Sequence, residues 1–327
     1  MTVRIGILGA ARIAPNAIVK PARAVDGAEV VAVAARDRAK ADAFAAKHGI
    51  ARTHGSYEEL LADPEIDAIY NPLPNGLHGR WTMAALDAGK HVLCEKPFTA
   101  DAEEAEAVAA KAAATPLVVM EAFHYRYHPV AHRMAEVVAS GELGELRHVE
   151  ASFCFPLPRP RDIRWNPDLA PGAMMDAGCY AVHMVRLLGG GEPTVDSATA
   201  RLWKPGIDRA MHAGVTFPSG VTGTIRASMF SARLLQISAR AVGSEGELRV
   251  LNPLAPQIGH RISIRTSHGR RVEHLTRRPT YDFQLEAFLG AVTEGKPTLT
   301  PPADSIATMR VIDAIYRAAG LEPRRPT

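Results

Sequence analysis

Two short stretches carry residues able to move protons. The first, Cys94-Glu95-Lys96-Pro97, follows the apolar run His91-Val92-Leu93. That run reads as a strand, so Lys96 falls at the carboxyl end of a parallel strand, where doubly wound sheets build their sites. The proline after it disfavours helical geometry at Lys96. An amine partly stripped of water loses basicity and can join a proton relay. By itself Glu95-Lys96-Pro97 suits a surface turn equally well. The second stretch runs from Gly172 to His183, with Asp176 and Tyr180 four residues apart. On a helix that spacing puts them on one face. A carboxylate beside a phenol can bind the hydroxyls of a polyol and exchange a proton with a ketone. Taken alone, a tyrosine on a half-buried helix face is the simpler reading.

A third stretch speaks to phosphate. Gly9-Ala10-Ala11-Arg12-Ile13-Ala14 follows the alternating run Val3, Ile5, Ile7 and opens a segment of helical composition. Gly9 allows a sharp turn, small Ala11 allows close approach of backbone to a pyrophosphate, and Ala14 allows a helix to pack on a strand. The helix start offers free N–H groups to the phosphates. Ala11 replaces the second glycine of the G-x-G-x-x-G/A fingerprint. At the end of the second apolar run, Ala34-Ala35-Arg36-Asp37-Arg38 offers guanidinium groups where an NAD site places an acid. Arginine binds a 2′-phosphate in bidentate fashion, so NADP(H) is expected over NAD(H), with Asp37 the contrary feature.

The elements that must position these residues alternate. Strands are expected at 2–8, 29–35, 68–70, 91–94 and 117–120, with helices at 10–24, 38–47, 80–88 and 102–114. Proline and glycine mark several ends, as at Pro15, Gly49 and Gly89. Strand–helix alternation implies a doubly wound parallel sheet of the α/β class. After a helix near 131–140 the rhythm changes. Strands at 146–155, 195–203, 210–217, 221–229, 234–242, 247–251 and 261–266 follow one another across glycine-rich turns, implying a mostly antiparallel α+β sheet. Helices are expected near 174–188, 281–294 and 303–319. The boundary falls near residues 122–125, so the expected domains are 1–123, which holds the phosphate-binding turn, and 124–327.

Composition narrows the field. With 327 residues the chain is long enough for two domains. A formal charge of +3 gives no footprint for nucleic acid. No apolar run is long enough for a membrane span, no signal peptide precedes the first strand, and Cys94, Cys154 and Cys179 lack metal or redox spacing. A cytoplasmic protein is the expectation. His124, His128 and His132 recur every fourth residue, but Pro129 interrupts a helix through them, so no metal site is expected. The arginines between 260 and 278 fit a solvated edge strand better than a phosphate patch.

In their order, Gly9–Ala14, Asn75-Gly76-Leu77-His78, Ala88–Pro97, Glu121–Pro129 and Gly172–Tyr180 resemble the glucose-fructose oxidoreductase/inositol dehydrogenase/rhizopine catabolism family over nearly the whole chain. The resemblance implies a Rossmann domain joined to an open-faced antiparallel sheet, with homodimers commonly formed through that sheet. It implies a cofactor site of Gly9, Ala11, Arg12, Ile13, Arg36, Arg38, Leu73, Asn75, His78, Glu95 and Lys96. It implies a substrate site of Tyr125, Arg126, Arg164, Trp165, Asp176 and Tyr180. Many members have histidine four residues after the aspartate; Tyr180 here resembles the branch of dimeric dihydrodiol dehydrogenase and NADP-dependent D-xylose 1-dehydrogenase. Ala170-Pro171-Gly172 stands where the family often has three glycines, and Tyr70-Asn71-Pro72 is also unusual. The chemistry implied is hydride exchange between nicotinamide and a sugar, diol or small carbonyl, with Tyr180 as general acid/base assisted by Lys96 and with Asp176 orienting substrate. A dinucleotide-binding regulator without turnover, or an aldose–aldose oxidoreductase holding NADP(H) tightly, are the alternatives.

Overall fold

Runs of valine, isoleucine and alanine without polar alternation make strands that need cover on both faces. The first unit of the fold is built on such runs. The computed structural model describes residues 2–327 except Pro158, Pro160, Arg161 and 232–234. The first residue of the strand expected at 234–242 therefore lies outside the described residues. By contacts the chain divides into Met1–His124 with Tyr281–Ile306 and Pro326–Thr327, and Tyr125–Thr280 with Ala307–Arg325.

In the first unit β1 (Val3–Leu8), β2 (Ala28–Ala34), β3 (Arg52–His54), β4 (Ala68–Asn71), β5 (His91–Cys94) and β6 (Val119–Glu121) form one sheet in the order β3-β2-β1-β4-β5-β6. Every neighbouring pair is parallel. The connections run one way from β1 to β3 and the other way from β4 to β6, so the order reverses between β1 and β4. Between strands lie a π-helical turn (Pro15–Val19) continuing into α1 (Lys20–Ala24), then α2 (Arg38–His48), α3 (Tyr57–Ala62), α4 (His78–Asp87) and α5 (Ala102–Ala113). The starts of α2 and α3 have local causes. Asp37 caps α2 by accepting from the N–H groups of Ala39 and Lys40. Ser56 accepts from the N–H of Glu59 at 3.0 Å, and Glu59 accepts from that of Gly55 at 2.7 Å. On α4, Trp81 meets the Tyr57 ring edge-on with centroids 4.8 Å apart.

The second unit has an eight-stranded sheet. Its strands are β7 (Leu146–Cys154), β8 (Thr194–Lys204), β9 (Ile207–Thr216), β10 (Thr222–Ser228), β11 (Gln236–Gly243), β12 (Gly246–Leu251), β13 (Arg261–Thr266) and β14 (Gly269–Glu273), in the order β14-β13-β12-β11-β7-β10-β9-β8. Apart from the parallel pair β7–β10, neighbours are antiparallel. The arginine-rich stretch forms β13 and the edge strand β14. After α6 (Pro129–Ala139), a second π-helical turn (Met174–Gly178) runs into α7 (Cys179–Gly189), which packs on β7 and β10. Gly223 on β10 lets the helix approach, since a Cβ there would lie 3.2 Å from Val185 Cγ1. The opposite face carries charge: Arg240 pairs with Glu150 at 3.0 Å and with Glu247, which also holds Arg249 at 2.6 Å. Two helices close the chain, α8 (Thr280–Glu294) and α9 (Pro302–Ala318). Among the described residues no helix is long and apolar enough to cross a membrane.

One buried acid helps set α4 against α5. The Glu104 carboxylate accepts from the N–H of Ala100 at 2.9 Å and occupies the space a Cβ at Gly79 would need, 2.2 Å away. Burial raises its pKa from 4.5 to about 7. A folded value above the unfolded one means stability is lost as pH rises from 4.5 through about 7. Glu104→Gln keeps an acceptor without the charge. It is expected to raise the melting temperature at about pH 8 and leave it nearly unchanged at about pH 4.5, as thermal denaturation at the two pH values would show.

Candidate functional site

In the first unit the candidate residues gather at the carboxyl edge of the parallel sheet. Gly9 ends β1 at φ +87°, a left-handed geometry open to glycine. A Cβ there would lie 3.1 Å from Leu73 Cδ2 and 3.7 Å from the Tyr57 hydroxyl. The first-crossover turn and the loop after β4 are thus in close approach, on the two strands where the order reverses. Ala11 is half-buried, and Arg12 and Ile13 are exposed beside it.

The loop after β4 is pinned from inside. The Asn71 side chain donates to the His78 carbonyl at 3.1 Å and to Thr82 Oγ1 at 3.2 Å, and accepts from the N–H of Leu73. His78 is 1% exposed. Its Nδ1 lies 2.7 Å from the Pro97 carbonyl and its Nε2 2.6 Å from the Leu73 carbonyl. Burial pulls the ring's pKa down to about 4 against the opposing pull of those two carbonyls. The neutral ring therefore sits between the β4 loop and the Glu-Lys-Pro turn, donating to one of the two carbonyls, and both its nitrogens face protein. Asn75, half-buried, begins the short 3₁₀ turn Asn75–Leu77 that leads into α4.

Lys96 follows β5, half-buried, joined to Pro97 by a cis peptide bond. Glu95 beside it is 7% exposed and accepts from the Tyr70 hydroxyl at 2.8 Å. Tyr281 feels the same carboxylate; burial first, then Glu95, raises its pKa well above the ordinary value. The unusual tyrosine in Tyr70-Asn71-Pro72 thus supplies the donor to Glu95.

At the end of β2 the charges separate by role. Asp37 is spent on the helix cap, and Arg38 pairs with Asp42 at 3.0 Å along α2. Arg36 is exposed, and its guanidinium pairs with no carboxylate among the described residues. Its backbone hydrogen-bonds the Tyr57 hydroxyl. Tyr57 was not among the expected site residues. The signal for it was Ser56-Tyr57-Glu58-Glu59, a capping box that starts a helix after a short strand.

In the second unit Asp176 sits in the π-helical turn and Tyr180 is the second residue of α7. The Arg164 guanidinium pairs with Asp176 at 2.8 Å and with Asp162 at 3.1 Å, and the two carboxylates, Asp176 foremost, raise its pKa. Tyr180 is 5% exposed, its ring edge-on to Phe153 at 5.7 Å and tilted to Tyr125 at 6.1 Å. Tyr125 is fully buried, and its hydroxyl lies 2.5 Å from His183 Nδ1. Trp165 stacks on Trp203 with centroids 5.4 Å apart, in an apolar cluster with Ala173, Ile207 and Met229. Arg126 is half-buried. Ala170 adopts φ +51°, which a non-glycine residue rarely takes, and this explains why glycine suits the position. Asp208 and Arg324, unmarked in the sequence, lie behind the π-helical turn.

The histidines spaced by four do not share one helix face: His124 lies in a 3₁₀ turn, His128 caps α6 by accepting from the N–H of Val130, and His132 lies within α6. Among the described residues no group of three or more His, Cys, Asp or Glu could hold a metal ion.

Comparison with known proteins places this arrangement. A family model described as an oxidoreductase family with an NAD-binding Rossmann fold matches residues 3–123, and one for the GFO/IDH/MocA C-terminal domain matches 131–249. The chain is 39% identical to a D-xylose 1-dehydrogenase (NADP(+)) of Haloferax volcanii, over 96% of each chain. It is 35% identical to a trans-1,2-dihydrobenzene-1,2-diol dehydrogenase of Sus scrofa, over 69% of this chain and 67% of the other. A solved 3-ketoreductase from Actinomadura kijaniata, in complex with NADP and TDP-benzene, superposes with a TM-score of 0.90 at 29% identity, covering 97% of this chain and 98% of that one. A parallel sheet in the order 3-2-1-4-5-6, a mostly antiparallel second sheet and these relatives agree: the chain belongs to the glucose-fructose oxidoreductase/inositol dehydrogenase/rhizopine catabolism family of oxidoreductases.

Proposed function

We propose that the chain is an NADP(H)-dependent oxidoreductase for an aldose, diol or small carbonyl compound, with Tyr180 as general acid/base assisted by Lys96. One chain of contacts carries the reading. Gly9 abuts Leu73, the His78 ring lies between the carbonyls of Leu73 and Pro97, and Lys96 precedes Pro97. A dinucleotide-type turn and a candidate proton-handling amine are thereby tied into one carboxyl-edge crevice at a strand-order reversal, where such sheets bind ligands. A second observation supports the pair. Solved variants of the A. kijaniata reductase replace a lysine and a tyrosine whose separation, 84 residues, equals that of Lys96 and Tyr180.

The residues present fit the cofactor. Gly9 leaves a cradle that a Cβ would fill, and the exposed Arg36 and Arg12 suit a 2′-phosphate and pyrophosphate. The relatives named above that carry NADP in their descriptions agree with this. Asn75, His78, Glu95, Ile13 and Arg38 complete the binding set, with His78 and Glu95 acting by holding the loops. When bound, the nicotinamide supplies the redox chemistry. Tyr180 exchanges the proton at the substrate oxygen, Lys96 lowers the cost of ionising that phenol, and Asp176 orients a substrate hydroxyl while Arg164 holds its carboxylate in place. Tyr125, Arg126 and Trp165 shape the substrate side. In this reading residues 1–123 serve the dinucleotide and 124–327 the substrate. The charged open face of the second sheet is a homodimer surface, and three cysteines outside any disulfide suit the cytoplasm.

Two measurements test it. Tyr180→Phe is expected to lower kcat by about 10² to 10⁴ while NADPH still binds, as fluorescence titration would show; turnover near that of the unmodified chain rules the role out. Arg36→Ala is expected to raise KM for NADP(H) by at least about tenfold, roughly one lost charge-assisted pair, and to leave KM for NAD(H) almost unchanged. Equal effects on both cofactors would reject the 2′-phosphate assignment.

A further inference from the structure

We propose that Asp208, clamped by Arg324, is a positioning residue that sets where the helix bearing Asp176 and Tyr180 begins. The inference rests on the acid/base role assigned to Tyr180 above.

Asp208, near the start of β9, is 0% exposed, and its carboxylate gathers donors from three separate segments of the second unit. Oδ2 accepts from the N–H of Met174, the first residue of the π-helical turn, at 2.7 Å. Oδ1 accepts from the Tyr316 hydroxyl of α9 at 3.0 Å and from Arg324 Nη2 at 2.7 Å. Arg324 is fixed in turn. It donates through Nη1 to the Gly206 carbonyl at 2.7 Å, and its guanidinium lies 4.3 Å from the centre of the Tyr316 ring.

A helix start leaves N–H groups without intrahelical partners, and the residue before the helix usually supplies the acceptor. Ala173 stands at that position here and has no side-chain oxygen to offer. A carboxylate 34 residues away does the work instead. Its charge also suits the positive end of the helix dipole. The turn leading in leaves no slack. Gly172 has φ +126°, and a Cβ there would lie 2.0 Å from Asp208 Oδ1 and 3.0 Å from Arg324 Nη2. The Gly172 carbonyl accepts from the N–H of Asp176 at 3.1 Å. One buried ion pair therefore locates the first turn in space, and Asp176 and Tyr180 follow within six residues. Displacing a reacting group by about 1 Å can cost about 100-fold in rate.

The test uses the full chain with Asp208→Asn, Arg324→Ala, Arg324→Lys and Tyr316→Phe, plus Tyr180→Phe as control. Assays follow D-xylose oxidation with NADP+ or butane-2,3-dione reduction with NADPH, whichever the unmodified chain turns over faster. Asp208→Asn and Arg324→Ala are expected to lower kcat about 10- to 100-fold and to shift the kcat–pH profile. NADPH affinity should stay within about twofold, because the dinucleotide residues belong to the first unit. Arg324→Lys, which keeps the charge, should recover most of the loss. If only the melting temperature falls while kcat and its pH profile stay put, the ion pair is merely structural and the proposal is overturned. Should Asp208→Asn fail to fold, Arg324→Ala and Tyr316→Phe provide the same comparison. Turnover retained in Tyr180→Phe overturns the acid/base reading and this proposal with it. Turnover lost there but normal in the Asp208 and Arg324 variants overturns this proposal alone.

Discussion

Parallel strands cannot be joined by tight turns. Each must be followed by a crossover, and right-handed crossovers on opposite faces force the order to reverse once within the sheet. Here the reversal lies between β1 and β4. The loops leaving those two strands diverge to opposite faces, which leaves the carboxyl edge between them open. Gly9 and Leu73 meet at that edge, where a Cβ on Gly9 would lie 3.1 Å from Leu73 Cδ2. The dinucleotide role proposed for the turn after β1 starts from this constraint, and the Asn71 side chain pins the loop after β4.

Buried polar groups are the second theme. Asn71, His78, Glu95 and Asp208 are all nearly inaccessible, and each is held by donors or acceptors of the protein. An unpaired group at such depth costs about 1–3 kcal/mol, and stripping one partner from a buried ion pair costs about 3–5 kcal/mol. Such groups tolerate few arrangements. They hold the loops around the site in a way that apolar packing, which accepts many near-equivalent solutions, would not.

Much of the fold was legible because parallel strands and alanine-rich helices leave strong periodic signals. The alternation from 2 to 122 and the switch to successive strands after 146 could both be read from spacing alone. β3 was not, since Arg52-Thr53-His54 is three half-buried residues with no apolar pattern. Nor was α3, six residues long, despite its capping box. The placing of candidate residues was legible where an apolar run ends, as at Gly9, Arg36 and Lys96, which follow β1, β2 and β5. Asp37 was ambiguous in sequence because one carboxylate can cap a helix or bind a ribose; the fold uses it for the cap. Sequence alone could not tell that the His78 ring sits between two loops, nor that Trp165 stacks on Trp203. Asp208 and Arg324 left no trace at all. They meet across 116 residues, and a long-range pair has no period to read.

The three tryptophans are divided unequally between the units. Trp81 stands alone in the first, edge-on to Tyr57, while Trp165 and Trp203 lie stacked in the second. Two indoles at that separation interact as a coupled chromophore, whereas a single indole gives an isolated band. Near-ultraviolet dichroism therefore carries a built-in label for the second unit, whose loosening in denaturant can be followed optically without attaching a probe.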